Sequence, residues 1–80
     1  MPTVLRKAGF SIRIRTRDHE PPHVHIFHSG KEVVILLGDE VTLPTIRDIR
    51  DMPARQMRVA LELVVANQKF LINEWRKIYE

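Results

Sequence analysis

The chain has 80 residues, the size of one small domain, and its 44% hydrophobic and 29% charged residues are ordinary for a globular protein. It contains no cysteine, which excludes disulfides and thiolate metal sites, and its formal net charge is +3. No apolar run approaches the ~18 residues that span a membrane, and the first residues lack the apolar stretch of a signal peptide. We therefore expect a cytoplasmic protein without a membrane partner.

The first third of the chain predicts two short strands. The segment TVLRKAG predicts a strand that ends at Gly9, and the segment FSIRIRTR alternates as a strand with one buried face does. Its apolar side chains share one face: Phe10, Ile12 and Ile14. Its basic side chains share the other: Arg13, Arg15 and Arg17. Because a one-residue shift in register would bury arginines, we expect Arg13 and Arg15 to be exposed and the three apolar residues to be buried.

The middle of the chain predicts a hairpin. Pro21 and Pro22 interrupt the strand pattern because they lack amide donors, and the segment HVHIFH resumes it. The residues SGK predict a tight turn, and EVVILLG predicts a central strand because it is apolar and β-branched. Residues 41–53 are the least legible and allow another short strand and a turn. We therefore expect three to four antiparallel strands within residues 1–45.

The last third of the chain predicts a helix. Apolar residues recur at helical spacing: Met57, Ala60, Leu61, Val64, Leu71, Trp75 and Ile78. The polar stretch from Asn67 to Lys69 contains no glycine or proline, so we expect one long helix over about residues 53–79 rather than two. The predicted fold class is α+β. We expect a single domain over residues 1–80, with a small antiparallel sheet of three to four strands and one long C-terminal helix packed on one face.

All four histidines lie in one short stretch: His19, His23, His25 and His28. In a strand that begins near His23, residues two apart share a face, so His23 and His25 lie about 6.6 Å apart along one side. The apolar residues that alternate with them are the better core residues. We therefore expect His23 and His25 to face outward, on the side that carries Arg13 and Arg15 if the two strands are neighbours.

This constellation suggests general acid–base catalysis on a phosphodiester. Histidine has a reference pKa of ~6.5, so one imidazole can accept a proton while another donates one near neutral pH. On this hypothesis the candidate catalytic residues are His23 and His25. Arginines bind phosphate and stabilise negative charge, so the candidate nucleic-acid-binding residues are Arg13, Arg15 and Arg17. The alternative is that the histidines are surface residues or bond backbone groups beside the prolines. Whether His19, Glu20 or His28 join the site stays open.

Metal binding is a further alternative. A His-x-His pair supplies two ligands, whereas a catalytic zinc site needs three from the protein. With no cysteine and two aligned histidines, we expect no bound metal and no cofactor. A small histidine-ligated metal protein remains as the second alternative to the main hypothesis.

The positive charge is concentrated in the part of the chain that carries the histidines. Residues 1–31 hold six basic and two acidic side chains, whereas residues 32–80 hold seven basic and eight acidic ones. A positive face attracts phosphates or an acidic protein partner.

Several motifs of the chain are distinctive: the opening Met-Pro-Thr, the Gly9–Phe10 strand start, the Pro-Pro-His-Val-His motif at 21–25, and the helical Asn67, Leu71 and Trp75. Together they resemble the bacterial domain-of-unknown-function family 4160. The resemblance covers nearly the whole chain. It implies a protein that is encoded beside a second small uncharacterised domain, as one half of a toxin–antitoxin-like pair.

The main hypothesis is a component of such a pair that acts on RNA, or on a cognate small protein encoded nearby, through the basic histidine-bearing face. A non-enzymatic protein-binding module is the first alternative. The sequence leaves open whether the protein is an enzyme, whether it is toxin or antitoxin, and whether it forms a homo-oligomer.

Overall fold

The computed structural model describes residues 3–15 and 20–79. The described residues form β1 Thr3–Lys7, β2 Phe10–Arg13, β3 His23–His28, β4 Lys31–Leu36, β5 Thr45–Arg50, α1 Ala54–Ala66 and α2 Gln68–Tyr79. All strand pairings are antiparallel, and the strands lie in the sheet in chain order. The predicted α+β class, an antiparallel sheet with C-terminal helical structure packed on it, is confirmed.

The hairpin of β3 and β4 sets the register of the central strands. Ser29 and Gly30 close it, and both have positive φ, 50° and 77°. Two consecutive left-handed residues are typical of a type I′ turn, whose twist matches that of the strands it joins. The turn places Phe27 directly opposite Glu32. The hairpin that the sequence predicts at this turn is therefore confirmed.

The core lies between the helices and one face of the sheet. The alternating residues of β2 and its extension are buried, as predicted: Phe10, Ile12 and Ile14. The central strands add Val24, Ile26, Val33 and Ile35, and the helices cover them with Ala60, Val64, Leu71 and Trp75. Burial of this apolar surface is what holds the two amphipathic helices in place. Neither of the described helices has the length and apolarity needed to cross a membrane.

Four strands lie within residues 1–45, as expected, but the sheet has a fifth, β5, which begins at Thr45 and runs beyond that range. The ladder between β4 and β5 contains a register shift, so Ile46 pairs with Ile35 and Ile49 pairs with Val33. Ile46 and Ile49 therefore face the same side although they are three residues apart. Strand prediction depends on a period of two, and the bulge removes that period.

The expected single long helix is interrupted at Asn67, which separates α1 from α2. Asn67 has φ −118° and ψ 21°, and its side-chain Nδ2 donates to the carbonyl oxygen of Leu63 at 2.8 Å. Such a side-chain bond competes with the backbone hydrogen bonding of a helix. The side-chain Nε2 of Gln68 then donates to the carbonyl oxygen of Leu37 at 2.7 Å and to that of Asp39 at 3.0 Å. The polar stretch thus ends α1 and ties α2 to the loop after β4.

Candidate nucleic-acid interface

Arg13 of β2 and His25 of β3 are directly paired across the sheet. Directly paired residues place their side chains on the same face, which here is the face away from the apolar core. Further side chains join this pair through ring contacts and ion pairs. We call the resulting group the histidine–arginine face: Arg13, Arg15, His23, His25, Glu32 and Arg50.

His23 and His25 lie on the predicted face, but the expectation that they face solvent is wrong. Only 5% of His23 and 7% of His25 are exposed. The His23 ring packs against Trp75 of α2, with centroids 5.3 Å apart, and against the His25 ring at 5.2 Å. This burial involves a helix about fifty residues further along the chain, which strand periodicity does not predict.

The hydrogen bonds of the two histidines identify the ring nitrogen that donates. Nδ1 of His23 lies 2.9 Å from the carbonyl oxygen of Pro21, and Nδ1 of His25 lies 2.8 Å from Oε2 of Glu32. Carbonyl and carboxylate oxygens only accept hydrogen bonds, so Nδ1 carries the proton in both rings. In a neutral imidazole with this tautomer, Nε2 is the basic nitrogen.

Glu32 is the residue of this face that sequence analysis missed. It is 7% exposed and bonds His25, and its carboxylate also faces two guanidinium groups. Nη2 of Arg15 lies 3.6 Å from Oε2, and Nη1 of Arg50 lies 3.7 Å from Oε1. A buried carboxylate needs such partners to offset the loss of hydration. The sequence contains enough information to find Glu32. A single acid in an apolar strand, next to a two-residue turn, has a defined position opposite β3.

The two arginines that were expected to be exposed are half-buried. The guanidinium carbon of Arg13 lies 4.7 Å from the ring centroid of Phe27, a cation–π contact. Its Nε is buried and makes no hydrogen bond within residues 3–15 and 20–79. The side chain of Arg15 stays 42% exposed, while its backbone carbonyl accepts a hydrogen bond from the Tyr79 hydroxyl. Helix α2 therefore anchors the backbone of Arg15 and leaves its side chain accessible.

The remaining candidate residues lie elsewhere. Arg17 and His19 are outside the described residues. His28 lies on the core side of β3, with its ring 4.5 Å from that of Phe10, and Glu20 accepts a hydrogen bond from the Trp75 indole at 3.4 Å. In the described part of the chain, no three histidine, aspartate or glutamate side chains are grouped so that they could hold a metal ion.

The comparison with protein families identifies the domain. A family model described as "Domain of unknown function (DUF4160)" matches residues 9–76. The chain belongs to this family. The DUF4160 match includes every residue of the histidine–arginine face and the Pro-Pro-His-Val-His motif, and it confirms the family resemblance of the sequence. No curated protein and no solved structure matches this DUF4160 chain.

Proposed function

We propose that this DUF4160 protein is a component of a toxin–antitoxin-like pair and binds RNA through its histidine–arginine face. The observation that carries the RNA proposal is the convergence of three arginines on one sheet face. Arg13 lies beside His25, and on this one face Arg15 approaches the Glu32 carboxylate from the β2 side and Arg50 from the β5 side. Membership of a pair is what the family resemblance implies.

The charge of the sheet supports a polyanionic ligand. The five strands together with Arg15 carry seven basic and two acidic side chains. The two acids, Glu32 and Asp48, both contact Arg50. Arg15 and Arg50 keep 42% and 66% of their side chains exposed, so both can reach a ligand. Phosphate contacts supply most of the non-specific affinity of proteins for nucleic acid, and the planar fork of arginine matches phosphate oxygens.

An aromatic ring beside an arginine favours a single strand over a duplex. The guanidinium carbon of Arg13 lies over the Phe27 ring, 4.7 Å from its centroid. Unpaired bases stack on aromatic rings and on guanidinium planes, whereas bases in an RNA duplex are hidden in the stack. Single-stranded RNA is therefore the ligand class that we propose.

Metal-free RNA cleavage is a second candidate function, favoured by the 2.8 Å bond between His25 and Glu32. A carboxylate that accepts the Nδ1–H of an imidazole orients that ring for proton transfer through Nε2. The burial of His23 and His25 weighs against direct contact with a substrate, so we favour binding over catalysis. A protein-binding module without enzymatic activity is the remaining alternative.

Two measurements on the wild-type protein separate these functions. Fluorescence anisotropy with a labelled single-stranded RNA of about 12 nucleotides is expected to show binding whose log affinity falls linearly with log salt concentration. A pull-down with the protein encoded beside this one tests the pair. Capture of that protein without RNA binding at about 50 mM salt would contradict the RNA proposal and favour the protein-binding module.

A further inference from the structure

We infer that Glu32 limits the affinity of the histidine–arginine face for phosphate by acting as an internal competitor for Arg15 and Arg50. This inference rests on the proposed RNA binding. It assigns to Glu32 a role opposite to that of the arginines, although the carboxylate and the guanidinium groups are neighbours in one network.

The distances around Glu32 differ between its partners. Charge-assisted hydrogen bonds between nitrogen and a carboxylate are about 2.7–2.9 Å long. The His25–Glu32 bond, at 2.8 Å, lies in this range, whereas the contacts of Arg15 and Arg50 are 3.6 and 3.7 Å. His25 is therefore the firm anchor of the carboxylate, and the contacts of the two guanidinium groups with that carboxylate are longer than hydrogen bonds.

Exposure places the three side chains at different depths. The side chain of Glu32 is 9% exposed, and those of Arg15 and Arg50 are 42% and 66% exposed. A phosphate that approaches from solvent meets the guanidinium groups before it meets the carboxylate. The arginines can turn to the phosphate while Glu32 stays bonded to His25.

Glu32 then acts on the bound phosphate in two opposing ways. It keeps Arg15 and Arg50 near their binding positions, which favours the ligand, and its negative charge repels the ligand. Ion pairs of this length to exposed arginines contribute little, because solvent screens them. A like charge a few ångströms away in a partly buried site repels more strongly. Repulsion therefore outweighs preorganisation, and neutral Glu32 variants should bind phosphate more tightly.

Asp48 provides a matched control on the same sheet. Its carboxylate lies 4.0 Å from Nε of Arg50 and is more than half exposed. Glu32→Gln and Asp48→Asn each remove one negative charge and one contact to Arg50, but only Glu32 also contacts Arg15. The glutamine keeps an oxygen that can accept the Nδ1–H of His25.

The test measures the affinity of each variant for the labelled single-stranded RNA at about 50 mM salt. We expect Glu32→Gln to bind about five- to tenfold more tightly than wild type, and Asp48→Asn to bind less than about twofold more tightly. Glu32→Met, similar in length and uncharged, is expected to tighten binding in the same way. If circular dichroism shows that Glu32→Gln is unfolded, the test uses Glu32→Met in its place.

The possible failures are distinguishable. Equal gains for Glu32→Gln and Asp48→Asn would assign the effect to net charge and overturn the inference alone. If wild type binds RNA and both Glu32 variants bind it equally well or more weakly, the inference about Glu32 is wrong but the proposed RNA binding stands. No RNA binding by wild type or by any variant would overturn the proposed function together with the inference.

Discussion

His25 donates its Nδ1–H to Oε2 of Glu32 at 2.8 Å, across the hairpin formed by β3 and β4. The two residues are diagonal neighbours, because Glu32 pairs directly with Phe27 and His25 pairs with Val34. Diagonal side chains of this length can meet on one face of a sheet. The shape of the histidine–arginine face therefore depends on the register that the Ser29–Gly30 turn imposes.

Loss of an arginine from this face should weaken RNA binding. We expect Arg13→Gln and Arg15→Gln each to lower affinity about three- to tenfold near 0.1 M salt. Each should also reduce the salt slope by about 0.7, because one phosphate contact is lost. Fluorescence anisotropy over a salt series measures both quantities. Arg58→Gln, an exposed substitution on α1, is the control with the same charge change. An equal loss for Arg58→Gln would contradict a role for this face.

Substitution of the buried histidines should destabilise the fold and should not change whether RNA is cleaved. His23→Ala removes the ring contact with Trp75 and the bond to the Pro21 carbonyl, so we expect a loss of about 1–3 kcal/mol in the free energy of unfolding. Urea denaturation measures this loss, and gel analysis of cellular RNAs is expected to show no cleavage. RNA cleavage by wild type that slows about a hundredfold or more in the His23→Ala, His25→Ala double variant would instead support the catalytic candidate.

A methyl group at Gly38 should disrupt the loop that follows β4. Gly38 has φ +68°, and a Cβ there would lie 2.2 Å from the carbonyl oxygen of Thr42. We expect Gly38→Ala to lower the free energy of unfolding by about 2–4 kcal/mol, since backbone strain and a backbone clash add together. Gly30→Ala is the matched control, because Gly30 has a similar φ of +77° with no atom within 4 Å of the new Cβ. It should lose about 1–2 kcal/mol. Equal losses of unfolding free energy in the two variants would show that the loop relieves the clash with Thr42 at little cost.

The carboxyl group of Asp39 should titrate below its ordinary range. The backbone N–H of Val41 donates to it at 2.9 Å, and this bond, together with a side-chain bond from Thr42, lowers the pKa of Asp39 from the usual 3.8. Because the pKa is lower in the folded than in the unfolded state, the ionised group stabilises the fold above about pH 3.8. That contribution is lost as pH falls through the lower folded value. Carbon-13 NMR titration of the Asp39 carboxyl checks this. A midpoint at or above 3.8 would disprove it.

The placement of Arg13 and His25 on one face of the sheet could be predicted from local pattern. Strict alternation around Ile12 and around Val24 determines which side chains share a face, and this places Arg13 and His25 on the same side of neighbouring strands. Their direct pairing depends on the register of β2 against β3, which periodicity does not determine. The same reasoning predicts the buried side of β2 correctly. These features need only the period of a strand and the order of the sheet.

Features that depend on distant contacts or local irregularity could not be predicted in this way. The burial of His23 involves Trp75, whose approach is decided by how α2 packs. Strand β5 has a bulge that sets Ile46 and Ile49 out of alternation, and Asn67 ends a helix through its own side-chain bond. Glu32 is a different case, since hairpin register alone would have placed it near His25.

Both edges of the sheet discourage growth by addition of a further strand. Register shifts occur between Thr3 and Leu5 on the β1 side and between β4 and β5 on the other. Bulges near an edge twist the backbone and break the regular row of donors and acceptors, and charged side chains such as Arg6 on β1 and Arg47 on β5 resist desolvation by an incoming strand. The protein should therefore resist fibril formation at high concentration. A partner protein would recognise its side-chain surfaces rather than extend its sheet.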